Sequence, residues 1–322
     1  MVDHFLSARP CKGETPWDED QGVRASRLLT LVALLALSAC ATGRPVVPTA
    51  TPRTVYGGAP VVTTYTGPCA EPRAAAQAAD INRASIDTLP VTPFGHAETG
   101  WRTYAPLTAQ EIRVICPYDS PGFAEALARW KAERGLAYDG VMDGATLEKL
   151  KGVWQEKRPF LMGRVRKEPC PAAPDPASLV FLDPTESHYG KPIALRPATL
   201  EAYRRMAAAA RSELGPAVSP PPVLTLFSAF RSPDYDKARC AVEGGCNGVA
   251  RAGSCSAHRT GLAIDIVLGS APGYRVDNAA DANRLWQSQT PLYHWLVINA
   301  ARFGFVNYPY EPWHWEWTGE VP

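Results

Sequence analysis

The segment "EPWHWEW", residues 311–317, constrains the fold more than any other part of the chain. Its tryptophans alternate with His314 and Glu316, and alternate residues of a β-strand point to opposite faces. The pattern therefore predicts a strand whose tryptophan face packs in the core while His314 points into a cleft. Glu311 precedes Pro312, where a bend can bring its carboxylate to the same cleft.

A second segment, "GLAIDIVLG" at 261–269, predicts a strand that is apolar on both faces except at Asp265. An isolated buried carboxylate is costly, so it must be paired, hydrogen-bonded or bound to a metal ion. His258 lies upstream, at a distance of about 23 Å if the chain were extended. The two side chains can meet only if the chain turns back, for which Thr260 and Gly261 are suitable. An arginine partner for Asp265 and an ordinary loop position for His258 are the alternative.

The rest of 174–322 mixes helices and strands without a regular strand–helix–strand alternation. Helices are predicted within 195–214 and 291–305, and an apolar strand is predicted within 221–232. These elements predict an α+β fold with a largely antiparallel sheet.

Residues 69–170 form a separate, helical domain in this interpretation. The segment 122–154 predicts a helix that ends near Gly135, a turn at "YDGVMDG", and a second helix that Thr146 can cap. The segment resembles the small helical peptidoglycan-binding domain, although Asp143 stands where that domain usually has glycine. A helical hairpin without binding function is the alternative.

The N-terminal sequence is typical of an exported protein. An apolar run within 27–40 is too short to span a bilayer and matches the core of a signal peptide. Its end, "LSAC", resembles the lipobox of bacterial lipoproteins, which implies that 1–40 is a leader and that Cys40 is lipidated. A plain signal peptide is the alternative. The Pro/Thr-rich segment 41–68 is predicted to be an extended tether.

Six further cysteines are expected to form disulfides, as their even number in an exported chain indicates. The sequence leaves their pairing open. They are Cys69, Cys116, Cys170, Cys240, Cys246 and Cys255.

Three motifs in 220–317 resemble the zinc D-alanyl-D-alanine carboxypeptidases and dipeptidases, the group with the vancomycin-resistance D,D-carboxypeptidases. The resemblance implies the compact α+β zinc domain that this group shares with hedgehog signalling domains. The motifs are Ser228-x-x-Arg231-Ser232, Ser256-x-His258-x6-Asp265 and Glu311-x2-His314.

The resemblance also implies the role of each site residue. His258, Asp265 and His314 would bind one catalytic Zn²⁺, leaving its fourth position open. Glu311 would be the general base, with Glu316 as the alternative. Arg231 would contact the substrate and stabilise the oxyanion. Ser256 would bind the substrate's terminal carboxylate.

These inferences together predict a lipid-anchored zinc metallopeptidase that faces the periplasm or cell wall. It would remove the terminal D-Ala from peptidoglycan stem peptides. An endopeptidase of the same zinc family and a non-catalytic wall-binding lipoprotein are the alternatives. With 33 basic and 32 acidic residues the chain has no excess charge that would indicate nucleic-acid binding, and we expect a monomer.

Changing Cys40 to Ser should release the protein from the membrane fraction, because the lipid would have no attachment site. Peptidase activity in solution should not change. Fractionation followed by immunoblotting measures the release, and unchanged partition into membranes would contradict the lipoprotein interpretation.

Overall fold

The computed structural model describes residues 67–218, 221–242, 255–320 and 322. The predicted leader with Cys40, and the predicted tether except for 67–68, lie outside the described residues. All described residues belong to one compact unit, Val61–Pro322. The division into domains at 69–170 and 174–322 therefore stays a prediction. No helix among the described residues combines the length and apolarity needed to cross a membrane.

The helical part of the chain, residues 76–165, also contains one short antiparallel strand pair. Its elements are α1 (Ala76–Ser85), β1 (Pro90–Val91), β2 (Glu98–Thr99), α2 (Ala105–Glu111), α3 (Pro121–Ala132), α4 (Gly144–Glu156) and α5 (Pro159–Val165).

The predicted helical hairpin within 122–154 is confirmed as α3 and α4. Beyond the end of α3, Gly135 adopts a left-handed conformation with φ +74°, which glycine tolerates best. The prediction that Thr146 caps α4 is wrong. The cap is Asp143, whose side chain accepts a hydrogen bond from the backbone N–H of Thr146 at 2.7 Å. The residue that departs from the wall-binding pattern is thus the one that starts the helix.

In its described residues, the second part of the chain combines four antiparallel strand pairings with four α-helices. Its elements are β3 (Val180–Phe181), β4 (Ala194–Leu195), α6 (Pro197–Leu214), β5 (Leu226–Ser228), α7 (Pro233–Val242), β6 (Ala263–Ile266), α8 (Asp281–Ser288), α9 (Pro291–Asn299), β7 (Phe305–Asn307) and β8 (His314–Trp317). Strands β5, β6, β8 and β7 form the main sheet in that order, and all its neighbours are antiparallel. The predicted α+β fold is confirmed.

The core continues from the helical part into the main sheet. Trp101 and Trp154 of the first part belong to the same buried cluster as Leu226, Ile264 and Trp315 of the sheet. The alternation predicted for 313–317 holds in part. Its tryptophans at 313 and 315 are buried, but the polar face of β8 is buried as well. The sheet is therefore covered on both faces at β8.

Disulfide formation is confirmed for four of the six predicted cysteines. Cys69 pairs with Cys116, and Cys170 pairs with Cys255. The side chain of Cys240 and all of Cys246 lie outside the described residues. The second disulfide connects the segment that follows α5 to the residue just before Ser256, so it ties a site loop to the helical part.

A buried arginine joins the two parts of the chain. The guanidinium of Arg284 on α8 is fully buried, and its Nη1 lies 3.3 Å from Glu98 of β2. Its Nη2 donates to the hydroxyl of Tyr104 at 2.7 Å, and its Nε donates to the carbonyl of Tyr310 at 2.6 Å. Its Nη1 also donates to Asp281 of α8, which is half exposed. Because Glu98, Tyr104 and the Tyr310 carbonyl lie outside α8, Arg284 holds α8 against both the helical part and the β7–β8 turn.

Replacing Arg284 with Met should lower the free energy of unfolding by about 3–5 kcal/mol, because Glu98 would stay buried without its cation. Urea unfolding monitored by tryptophan fluorescence measures the change. The matched control is Arg302→Met, which removes an exposed ion pair with Glu213 and should cost at most about 1 kcal/mol. Equal effects of the two substitutions would contradict the role of Arg284.

Candidate metal centre

His258, Asp265 and His314 come together in the structure. Their potential ligand atoms all lie within 4.8 Å of one another, and the three side chains are buried. The Asp265 carboxylate lies between the two rings. Its Oδ2 is 3.2 Å from His258 Nε2, and its Oδ1 is 2.9 Å from His314 Nδ1. Two imidazole nitrogens and a carboxylate form a donor set that suits a divalent transition metal such as zinc.

Strand pairing and one turn create this arrangement. Asp265 on β6 and His314 on β8 are directly opposite each other in the antiparallel register. His258 lies in a short 3-10 helix, Ala257–Thr260, and Gly261 follows it with φ +72°. This left-handed glycine reverses the chain between His258 and β6, at the turn that the sequence predicts.

The nitrogen of each ring that points away from Asp265 has its own acceptor. His258 Nδ1 lies 2.6 Å from the carbonyl of Ala229, and His314 Nε2 lies 3.2 Å from Glu316 Oε1. An N–H on each of these outer nitrogens leaves the lone pairs of His258 Nε2 and His314 Nδ1 free for a metal ion. Such outer acceptors are the usual companions of metal-bound histidines.

Burial and charge perturb the pKa of every member of the group. Burial opposes the charged carboxylate of Asp265, but the adjacent His258 and His314 outweigh it and hold its pKa far below the usual range. Burial also opposes a charged His314, yet its hydrogen bonds to Asp265 and Glu316 raise its pKa to about 9. Burial and the charge of Arg231 lower the pKa of His258. The pocket thus favours positive charge beside Asp265, which a proton or a metal cation can supply.

Glu311 occupies the turn between β7 and β8 and lines the same cleft. Its N–H donates to the carbonyl of Tyr308 and its carbonyl accepts from the N–H of His314, both at 2.9 Å. The carboxylate Oε2 lies 4.0 Å from His314 Nδ1. Burial raises the pKa of Glu311 to about 7, and Asp265 adds to the increase while His314 opposes it. A carboxylate with this pKa can both accept and release a proton near neutrality.

Glu316 has a different environment, although it also approaches His314. Its Oε1 accepts hydrogen bonds from Arg158 at 3.0 and 2.5 Å as well as facing His314. Burial opposes its charge, but Arg158 and His314 outweigh it and lower its pKa to about 2. The carboxylate of Glu316 is therefore held ionised in an ion pair, whereas that of Glu311 faces the cleft.

Arg231 and Ser256 lie on the cleft side of His258 and share one partner. Arg231 Nε is 2.9 Å from Asp236 Oδ1, and Ser256 Oγ donates to Asp236 Oδ2 at 2.7 Å. Arg231 Nη1 also donates to Ser228 Oγ at 3.3 Å. Asp236, which lies in the first turn of α7, was not among the predicted site residues. An acid placed five residues after the arginine, in "RSPDYD", was the available signal.

The cleft that these residues line has a volume of about 1720 Å³. Its walls come from both parts of the chain, because α4 contributes Gln155, α5 contributes Phe160, and Arg158 lies between these helices. None of these three residues was predicted to belong to the site, because no sequence motif around them indicates it. The cleft is large enough to admit a peptide rather than a single amino acid.

Comparison with known proteins supports the resemblance stated from the sequence. Residues 192–320 match the family model described as VanY, D-alanyl-D-alanine carboxypeptidase. The match contains every predicted site residue after the leader, and the predicted family is confirmed over this range. No protein of curated function matches the chain.

Among solved structures, the LdcB LD-carboxypeptidase is 27% identical, with a TM-score of 0.36, and the match covers 48% of this chain and 74% of that one. A vancomycin-resistance D,D-pentapeptidase, VanY from a VanB-type cassette in complex with Zn(II), is 22% identical, with coverages of 48% and 85% and a TM-score of 0.30. VanYB in complex with D-Ala-D-Ala is 23% identical, with coverages of 48% and 83% and a TM-score of 0.30.

Proposed function

We propose that this protein is a zinc-dependent D-alanyl-D-alanine carboxypeptidase that acts on peptidoglycan stem peptides. The observation that carries the proposal is the meeting of His258, Asp265 and His314 at the floor of a cleft, with the carboxylate of Glu311 beside them. The family match over residues 192–320 supports the reaction type.

In this proposal His258 Nε2, His314 Nδ1 and a carboxylate oxygen of Asp265 hold one zinc ion. The ion, when bound, supplies Lewis acidity that polarises the scissile carbonyl and makes water more acidic. Three protein ligands are the usual number at a catalytic zinc site. The outer hydrogen bonds of both histidines support the assignment, because they orient the rings toward Asp265.

Glu311 acts as the general base and then as the general acid. Its carboxylate takes a proton from the attacking water and delivers it to the amine of the departing D-Ala. Burial of the Glu311 carboxylate raises its pKa and so makes it a stronger base, which suits the first step. Glu316 is a poor candidate for this role, since its charge is already committed to Arg158.

Arg231 and Ser256, which also line the cleft, bind the substrate. Arg231 stabilises the carbonyl oxygen as negative charge develops on it, and Ser256 contributes to binding of the terminal carboxylate. Asp236 fixes both side chains through its two oxygens. Because Asp236 is itself buried, this arrangement exists before substrate arrives.

The proposed substrate also decides where the protein must act. A cell-wall substrate requires an exported protein, and Cys40 would anchor it to the membrane by a lipid. The helical part would bind peptidoglycan and act with the peptidase as a monomer. An endopeptidase of the same zinc family is the second candidate function, since a cleft of about 1720 Å³ also admits a longer peptide.

We expect purified protein lacking the leader to bind one zinc ion, and His258→Ala or His314→Ala to lose most of it, because each removes one of three ligands. Elemental analysis after dialysis measures the metal content, with circular dichroism as the check on folding. The control is His294→Ala on the exposed side of α9. Full zinc content in both ligand variants would contradict the assignment.

Incubation of the zinc-loaded protein with purified muropeptides should remove one alanine from pentapeptide stems, as detected by mass spectrometry. Glu311→Gln should lower the rate by roughly 10²–10⁴-fold, because glutamine cannot accept the proton. Its zinc content should stay normal. A split cross-link would identify an endopeptidase, and no change with zinc-loaded protein would identify a binding protein without catalytic activity.

A further inference from the structure

We propose that Arg158, in the helical part of the chain, is a positioning residue for the metal ligand His314 and acts on it through Glu316. The inference rests on the proposed function, since it concerns the same metal centre. Arg158 lies outside the range 192–320 that matches the carboxypeptidase family. The metal centre would therefore depend on a segment that the family domain does not contain.

A continuous chain of contacts links Arg158 to His314 through Glu316. Arg158 Nε and Nη2 donate to Glu316 Oε1 at 3.0 and 2.5 Å. The same Oε1 lies 3.2 Å from His314 Nε2. In the proposed site His314 Nδ1 binds the metal ion, so Nε2 carries the hydrogen and Glu316 is its acceptor. An acceptor of this kind fixes the tautomer and orientation of a metal-binding imidazole and makes it a stronger ligand.

The Arg158–Glu316 pair is buried, with side chains only 9% and 4% exposed. A buried carboxylate without a cation is strongly unfavourable, so the Glu316 side chain would turn away from its position if Arg158 were absent. It would then lose its contact with His314 Nε2. Arg158 thus holds the Glu316 carboxylate in place, and Glu316 in turn holds the His314 ring.

Contacts with its neighbours hold the Arg158 side chain in place. Its Nη1 donates to the side-chain oxygen of Gln155 at 2.7 Å, and its guanidinium lies 4.2 Å from the ring centre of Tyr308. The Tyr308 ring packs edge-on against the ring of His314, with centres 6.0 Å apart. Pro159 follows Arg158 and restricts it to extended backbone, which separates α4 from α5. The guanidinium is therefore ordered before any metal binds.

The experiment measures the zinc dissociation constant of the full chain by competition with a chelating dye. Arg158→Met should weaken zinc binding by about 10–100-fold, the usual effect of losing an outer partner of a metal-bound histidine. Arg158→Lys should weaken zinc binding less, because lysine keeps the charge but not the two-nitrogen contact. The matched control is Arg166→Met, beyond the end of α5, whose side chain is 56% exposed and pairs with Glu168. It should bind zinc as the unaltered protein does.

Two further variants separate positioning from general stability. Glu316→Gln should itself weaken zinc binding, and Arg158→Met combined with Glu316→Gln should bind zinc no more weakly than Glu316→Gln alone. The two losses of zinc affinity should not add, because both residues act through one contact. The double variant also removes the unpaired buried charge, so its zinc affinity can be measured if Arg158→Met alone does not fold.

Three outcomes would overturn the inference. Zinc affinity unchanged in Arg158→Met, even with a lower free energy of unfolding, would mean that Arg158 is only structural. Additive losses in the double variant would mean that Arg158 does not act through Glu316. Failure of the unaltered chain to bind zinc would overturn the proposed function itself, and with it this inference.

Discussion

The buried carboxylate of Asp265 is the constraint on which the rest of the structure depends. It lies in the second strand of the main sheet among apolar neighbours, and burial there is tolerable only with positive partners close by. His258 and His314 are those partners, at 3.2 and 2.9 Å. Satisfying Asp265 therefore requires the left-handed turn at Gly261 and the register of β6 against β8. The same geometry that removes the cost of burial creates a donor set for a metal ion.

Two buried arginines extend this logic across the molecule. Arg284 reaches from α8 to Glu98, and Arg158 reaches from the helical part to Glu316. In each case a carboxylate and a guanidinium from distant parts of the chain neutralise each other away from water. Pairs of this kind contribute specificity more than net stability, because desolvation offsets most of their attraction. They fix how the helical part lies against the sheet, and hence the shape of the cleft whose walls both parts supply.

The ionisation of Glu311 and Glu316 follows from their surroundings rather than from their positions in "EPWHWEW". Both carboxylates are buried and both approach His314. Only Glu316 has an arginine within hydrogen-bonding distance, which lowers its pKa, whereas burial raises that of Glu311. One carboxylate is thereby suited to proton transfer and the other to holding a ligand in place. The sequence favoured Glu311 through its resemblance to a family, and the structure supplies a physical reason for the distinction.

Local patterns in the sequence were sufficient for the strands around Asp265 and His314, the turn at Gly261 and the α+β class, because alternation and turn preferences act between near neighbours. The motifs that resemble the zinc carboxypeptidases identified the three residues that the structure brings within 4.8 Å. They did not reveal that Arg158 neutralises Glu316, that Asp236 links Arg231 to Ser256, or that the polar face of β8 is buried. These features depend on side chains far apart in the sequence, and only the packing of the two parts of the chain decides which charges meet away from water.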